Sequence, residues 1–331
     1  VSPENRALQA YRNAMTMHRR LLTRRLRTAP SNATMQVQNI RLTSSVLWGL
    51  RDRYPGTYAA GFAAVESLSL LEGWNDSLVV ARAQRIGPAS PRYADAAHIA
   101  RRAEARLDGH RAALALLDTL EARAATARQR AGVQAARIQA FLDSAQVEAA
   151  LSASQRLRAR FPRTPWAEWA RRTEYEAARL RPGMTAPNLT LRTLRGDTLS
   201  LHGLRGRPVV LEYYRPGLDL YALQRPLRNA LYDATRADSV AFVSVSTEPD
   251  TLVNRAFLHN RRLPGHRAIA ADGPQDPLVR RYNATRLPRW ILIDDTGAIV
   301  DCYWAGDFPA LRQGLTQLLH AQPTAAPLSL P

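Results

Sequence analysis

A chain of 331 residues is long enough for about two domains, and a composition of 46% hydrophobic and 22% charged residues excludes a wholly disordered protein. A single cysteine, Cys302, excludes an intrachain disulfide, a CxxC redox pair and any multi-cysteine metal site. The net charge of +18 is carried by 46 arginines against 28 acids, with no lysine, and such a field attracts anionic membrane, acidic protein or nucleic acid.

The charge is uneven. Residues 1–180 hold 28 arginines and 15 acids, and residues 181–331 hold 18 and 13. No run approaches the ~18 consecutive apolar residues of a spanning helix. The chain opens on Val1 rather than Met, as either a processed mature chain or a trimmed one would, and a removed export signal would fit the first.

Residues 1–180 are expected to be helical throughout. Ala, Leu and Arg dominate, and apolar positions recur at helical spacing, as in Leu107, Leu114, Leu117 and Leu120 or Ile138, Phe141 and Leu142. Proline-containing breaks fall at Ala29–Asn32, Tyr54-Pro55-Gly56, Gly87-Pro88 and Phe161-Pro162. Two of them resemble each other: Arg53-Tyr54-Pro55-Gly56-Thr57 and Arg160-Phe161-Pro162-Arg163-Thr164. Their spacing approximates multiples of a helix-pair period of ~34 residues, and Asp108-Gly109-His110 looks like an inter-helix turn of the tetratricopeptide type. The expectation is a helical-repeat-like array, with an irregular helical bundle as the alternative and a plain helical spacer as the bland one.

Residues 181–321 change character. Asn188–Leu194 and Thr198–Leu201 flank the turn Arg195-Gly196-Asp197 and predict a hairpin. Pro208–Tyr214 and Val240–Ser246 read as buried strands, followed by helical segments at Pro226–Thr235 and about Thr251–Leu258. Arg289–Asp294 and Ala298–Tyr303 form a hairpin around Asp295-Thr296-Gly297, and a last helix runs from about Phe308 to Leu319. The expected class is therefore α+β and multidomain, an all-α first domain (1–180) before an α/β sandwich with a mixed sheet (181–321). A Pro- and Ala-rich tail at 322–331 is expected to be loose.

Gly183-Met184 with Ala186-Pro187, then Leu204-Arg205-Gly206 and Val209-Val210-Leu211, resembles the opening of TlpA/ResA-type thioredoxin-like proteins. Arg286-Leu287-Pro288-Arg289-Trp290-Ile291-Leu292-Ile293-Asp294, with Gly297 and Gly306, resembles their second signature, in which the proline is cis. The resemblance implies a thioredoxin-like sandwich, a thiol-disulfide oxidoreductase ancestry and a bacterial periplasmic or envelope location.

The same resemblance places a Trp-Cys-x-x-Cys after strand Val209–Tyr214, eight residues ahead of Pro226. Leu218 and Tyr221 fall on the two cysteine positions, and a peroxiredoxin-like register puts Leu223 on its nucleophile. Leucine and tyrosine can neither attack a disulfide nor resolve a mixed one. Cys302 falls on the last strand, far in sequence from that helix start, and reads as a small apolar residue.

Other candidates follow. The resemblance implies that Leu287, Pro288 and Arg289 form an edge that could hold an extended peptide, or merely preserve the fold. Arg215, Asp219 and Tyr221 could build an anion pocket in the vacated site, with Arg289 beside them. The blander reading has Asp219 capping the next helix and Arg215 paired with an acid. Arg19, Arg20, Arg24, Arg25 and Arg27 make a basic amphipathic stretch suited to anionic lipid or an acidic partner, or to a solvated face. Histidine spacing supports no metal site, no cofactor motif appears, and nucleic-acid binding would rest on net charge alone. The leading expectation is a redox-inactive protein of the cell envelope, a protein-binding accessory subunit on a membrane complex. The alternatives are an enzyme with altered chemistry at Arg215, Asp219 and Tyr221, and a chaperone-like peptide binder.

Overall fold

The computed structural model describes residues 2–28, 33–259, 261–304 and 307–321, with the side chains of 22–28 and 33–37 left out. The break at Ala29–Asn32, Gly306 and the tail at 322–331 lie outside the described residues. Two compact units divide the chain, Val1–Glu174 and Tyr175–Pro331. The sequence places the joint at Arg181-Pro182-Gly183, whereas this division falls inside a helix.

The first unit is helical: α1 (Pro3–Thr28), α2 (Ala33–Arg53), α3 (Tyr58–Leu71), α4 (Asp76–Gln84), α5 (Tyr93–Leu107), α6 (Gly109–Arg123), α7 (Ala127–Asp143), α8 (Val147–Arg160) and most of α9 (Pro165–Arg179). The breaks at Pro55, Pro88 and Pro162 all separate helices, and so does Asp108. Breaks without proline escaped the sequence reading. One is held by Asn75, whose side chain accepts from Leu78 N to cap α4, and another by the Thr126/Gln129 capping box at α7.

The core of this unit is alanine-rich, which lets helix axes approach closely. Gly132 of α7 is the extreme case, because a Cβ there would lie 2.3 Å from Ala94 Cβ of α5. Arginines tie helices together across their surfaces. Arg102 forks onto Glu72 at 2.5 and 2.7 Å, Arg106 forks onto Asp76 at 2.7 and 2.8 Å, and Arg92 reaches Glu66 at 2.8 Å.

The second unit opens with the hairpin β1 (Thr190–Arg192) and β2 (Thr198–Ser200), paired antiparallel around Gly196, whose φ of +94° suits glycine. Then come β3 (Val209–Tyr214), α10 (Asp219–Ala234), β4 (Ala241–Ser246), α11 (Thr251–His259), β5 (His266–Ile269), α12 (Pro277–Arg281), β6 (Arg289–Ile293), β7 (Ile299–Trp304) and α13 (Phe308–Ala321). The five-stranded sheet runs β5-β4-β3-β6-β7, with β3, β4 and β5 parallel and β6 and β7 antiparallel to their neighbours.

Strand alternation gives the sheet two apolar faces. Val210, Phe242, Trp290 and Leu292 pack with Leu231 of α10, Phe257 of α11 and Leu315 of α13. Leu211, Val243, Ile291 and Ile293 pack on the other side with Leu189, Leu204 and Tyr282.

One expectation needs correction, and two elements lie outside what the sequence announces. The helix expected from Pro226 begins at Asp219 and runs through the proline. The proline is exposed, so the backbone bond it cannot donate is lost on the solvent side. Strand β5 carries no signal of its own, since His266-Arg267-Ala268-Ile269 is short and half polar and gains its place by pairing with β4. Helix α12 was missed because five residues carry no periodicity.

Candidate functional site

Strand β3 ends at Tyr214, and Arg215-Pro216-Gly217 turns the chain into α10, with Gly217 at φ +81°. Leu218 is the N-cap residue and Tyr221 lies in the first turn. The first turn of a helix is where amide dipoles would lower the pKa of a thiol. The antiparallel register sets Arg289 opposite Tyr213, so Pro288 enters β6 at the end of the sheet from which α10 leaves. The Leu287–Pro288 bond is cis, as the family signature implies.

Tyr221 is fully buried. Its ring stacks on Tyr214 with centroids 4.6 Å apart and planes at 22°, and Phe257 closes on both at 5.8 and 6.2 Å. Burial, with the Glu212 carboxylate adding to it, holds the phenol well above its usual titration range. Its hydroxyl has no hydrogen-bond partner among the described residues. The residue that the resemblance sets on the second cysteine position is thus a core side chain.

Leu218 is half-buried beside it, and Leu223, on the alternative register, is 74% exposed. Arg215 points to solvent and donates to Glu248 at 3.2 Å, the pairing the bland reading expected. Asp219 does not cap α10, since Leu218 holds that position. One residue further in, Asp219 sits exposed in the first turn, where its charge faces the helix dipole favourably. Arg215 and Asp219 therefore share the solvent side, and Tyr221 lies beneath them.

Arg289 turns to the other face of the sheet. It is 2% exposed, donates to Glu176 at 2.6 Å and lies 4.1 Å over the Trp304 ring. Strand parity explains why it does not join Arg215: Arg289 shares a face with Ile291, and Trp290 shares one with Tyr221. On the peptide edge, Pro288 is buried and Leu287 half-buried. Strand β6 is itself paired on both sides, so only the backbone preceding Arg289 is open to a further strand.

Cys302 sits opposite Ile291 on β7, so it faces away from α10. It is partly rather than fully buried, and its sulfur lies 3.7 Å from the Leu180 carbonyl. Burial pushes the thiol pKa up to about 11, against the opposing pull of Arg289.

Beneath α10 lies a feature the sequence reading passed over. Glu212, buried in the middle of β3, accepts from Arg228 Nε of α10 at 2.8 Å and from the Ser244 hydroxyl of β4. Arg228 also donates to Ser244 Oγ at 3.0 Å and to the Pro264 carbonyl at 2.7 Å. A glutamate inside an otherwise apolar strand was the available signal. In the first unit, Arg19 and Arg20 are exposed on α1, whereas the side chains of Arg24, Arg25 and Arg27 lie outside the described residues.

The strand order, the parallel and antiparallel halves and the proline before β6 together define the second unit as thioredoxin-like. No family model and no curated protein matches the chain. Solved structures similar to its C-terminal part include one assigned as the thiol:disulfide interchange protein DsbE from Chlorobium tepidum. That likeness has 24% identity over 42% of this chain and 99% of that one, with a TM-score of 0.39. The thioredoxin domain of a thiol-disulfide oxidoreductase from Bacteroides vulgatus is 21% identical over 42% and 99%, also at 0.39. A secreted disulfide oxidoreductase of Mycobacterium tuberculosis is 22% identical over 39% and 96%, at 0.34.

Proposed function

We propose that this chain is a redox-inactive thioredoxin-like protein of the bacterial cell envelope that works by binding other proteins, as an accessory subunit of a membrane complex. The observation that carries the reading is Tyr221, sealed in an aromatic stack at the position where the family resemblance calls for the second thiol. Cys302 cannot stand in for the missing pair, because it is a single protonated thiol on the opposite face of the sheet. The burial of Tyr221 also counts against altered chemistry at Arg215, Asp219 and Tyr221, since the phenol is withdrawn from anything bound above it.

A binding role draws support from the solvent face of α10. Leu220, Leu223 and Leu227 line it at helical spacing and are 41%, 74% and 55% exposed. The arginine-rich helical unit, read as a repeat-like array, would add an electropositive surface for acidic protein or anionic lipid, with Arg19 and Arg20 at one part of it.

The test is disulfide reduction. The full chain should reduce insulin no faster than its Cys302→Ala variant, and turnover clearly above that background would overturn the inactive reading. Capture of envelope complexes by the full chain should weaken as salt rises from 50 to 300 mM. Salt-insensitive capture would remove the electrostatic part of the proposal.

A further inference from the structure

The second unit carries a groove of about 560 Å³ between the C-terminal parts of α10 and α11 and the start of β5. Arg195, Arg261, Arg262, Arg267 and His259 line it, together with Tyr232, and no carboxylate is among its lining residues. Tyr232 lies eleven residues beyond Tyr221 on α10, about 16 Å along the axis, so this groove is separate from the vacated thiol site.

The charges in the groove are poorly compensated. Arg262 is neutralised by a two-pronged pair with Asp233 at 2.6 and 2.7 Å. Among the described residues, Arg195, Arg261 and Arg267 form no ion pair; the Asp197 carboxylate acts on Arg195 only from beyond contact distance. Arg261 lies with its guanidinium 5.0 Å over the Phe257 ring. Like charges converging on a concave wall repel one another, and that cost is relieved when an anion enters.

The wall is also held in place. Arg225 and Asn229 of α10 donate to the Arg262 carbonyl at 3.3 and 2.8 Å, and Arg228 donates to the Pro264 carbonyl at 2.7 Å. Leu194 N donates to the Arg267 carbonyl at 2.8 Å, which fixes the β1–β2 turn carrying Arg195 beside β5. A pre-formed site loses less ordering entropy on binding.

We propose that this groove binds a small polyphosphate, the phosphate chain being held by Arg195, Arg261 and Arg267. Arginine suits the task because its planar fork meets two phosphate oxygens at once. The volume lies within the ~300–1,000 Å³ range of small-molecule sites, large enough for a nucleoside triphosphate. Tyr232 and Leu258 offer an apolar wall for a nucleoside part.

The experiment is calorimetric titration of the full chain with inorganic tripolyphosphate and, separately, with ATP, both free of metal. Arg195→Ala/Arg261→Ala is the site variant, since both side chains are exposed. Arg163→Ala/Arg312→Ala removes the same charge from exposed positions elsewhere. Saturable binding of one ligand per chain is expected, weakened at least tenfold in the site variant and less than twofold in the control. Tighter binding of ATP than of tripolyphosphate would show the nucleoside being read in the groove, and equal binding would show that the phosphate chain suffices; either supports the site. Equal weakening in both variants, unsaturable binding or no binding would overturn it.

Discussion

Glu212 and Arg228 form an ion pair at 2.8 Å with side chains 1% and 0% exposed, joining the central strand of the sheet to α10. Removing water from two charges costs several kcal/mol each, and here the attraction is supplemented by the Ser244 hydroxyl and the Pro264 carbonyl. The aromatic stack of Tyr214 and Tyr221 lies on the same face of the sheet, so the stack holds the first turn of α10 and the ion pair, at its tenth residue, anchors the helix further along.

Breaking that pair from one side should therefore be severe. Arg228→Met leaves a buried carboxylate unpaired and should lower the stability of the second unit by about 3–5 kcal/mol. Adding Glu212→Leu removes the stranded charge and should restore most of the loss. Urea denaturation of the three chains checks this, and a single variant within 1 kcal/mol of the parent would contradict it.

Cys302 should be nearly inert in the native chain. With its pKa pushed up to about 11, the thiolate fraction at pH 7.5 is about 300-fold below that of a free cysteine. Iodoacetamide should label the urea-unfolded chain at an ordinary rate and the folded chain at least a hundredfold more slowly. Comparable rates would show that the thiol is open to solvent with ordinary reactivity.

Much of this was legible in the sequence, and the gaps have physical causes. Buried strands such as Val209–Tyr214 announce themselves as apolar runs, and Gly196 and Gly297 mark their turns, so both hairpins and four of the five strands of the sheet could be read directly. Strand β5 could not, because pairing with β4 rather than its own composition makes it a strand. At the start of α10, spacing and resemblance single out Leu218 and Tyr221, but whether a tyrosine there lines a pocket or fills the core depends on Tyr214 and Phe257, which come from other elements. The arginine groove was invisible for the same reason: Arg195, Arg261 and Arg267 are scattered along the chain and meet only in the fold.

In the first unit, His98 of α5 supplies a pH dependence. It stacks on Trp166 at 5.8 Å, and burial together with Arg101 and Arg102 lowers its pKa to about 4, while Asp95 and Asp143 pull the other way. The folded state therefore keeps His98 neutral while the unfolded chain, titrating near 6.5, takes up a proton. Stability should fall as pH drops from about 6.5 to 4, by about 3 kcal/mol from this group. His98→Gln removes the titration, so its melting temperature should vary less across that window than the parent's. Parallel pH profiles would rule out the assignment.

Gly132 sets two opposing effects against each other. In an ordinary helix interior, Gly→Ala gains about 1 kcal/mol of helix propensity. Here the added Cβ would meet Ala94 Cβ at 2.3 Å and the Trp166 ring nitrogen at 3.0 Å, so α5, α7 and α9 must separate to admit it. Overpacking of this kind costs about 1–3 kcal/mol, and at 2.3 Å the upper part of that range applies. Gly132→Ala should therefore destabilise the helical unit by about 1–2 kcal/mol, and the double variant Gly132→Ala/Ala94→Gly should recover only part of this, because Trp166 still crowds the new methyl. Thermal unfolding followed by circular dichroism decides it: a Gly132→Ala chain that melts higher than the parent would mean the helices have room to spare.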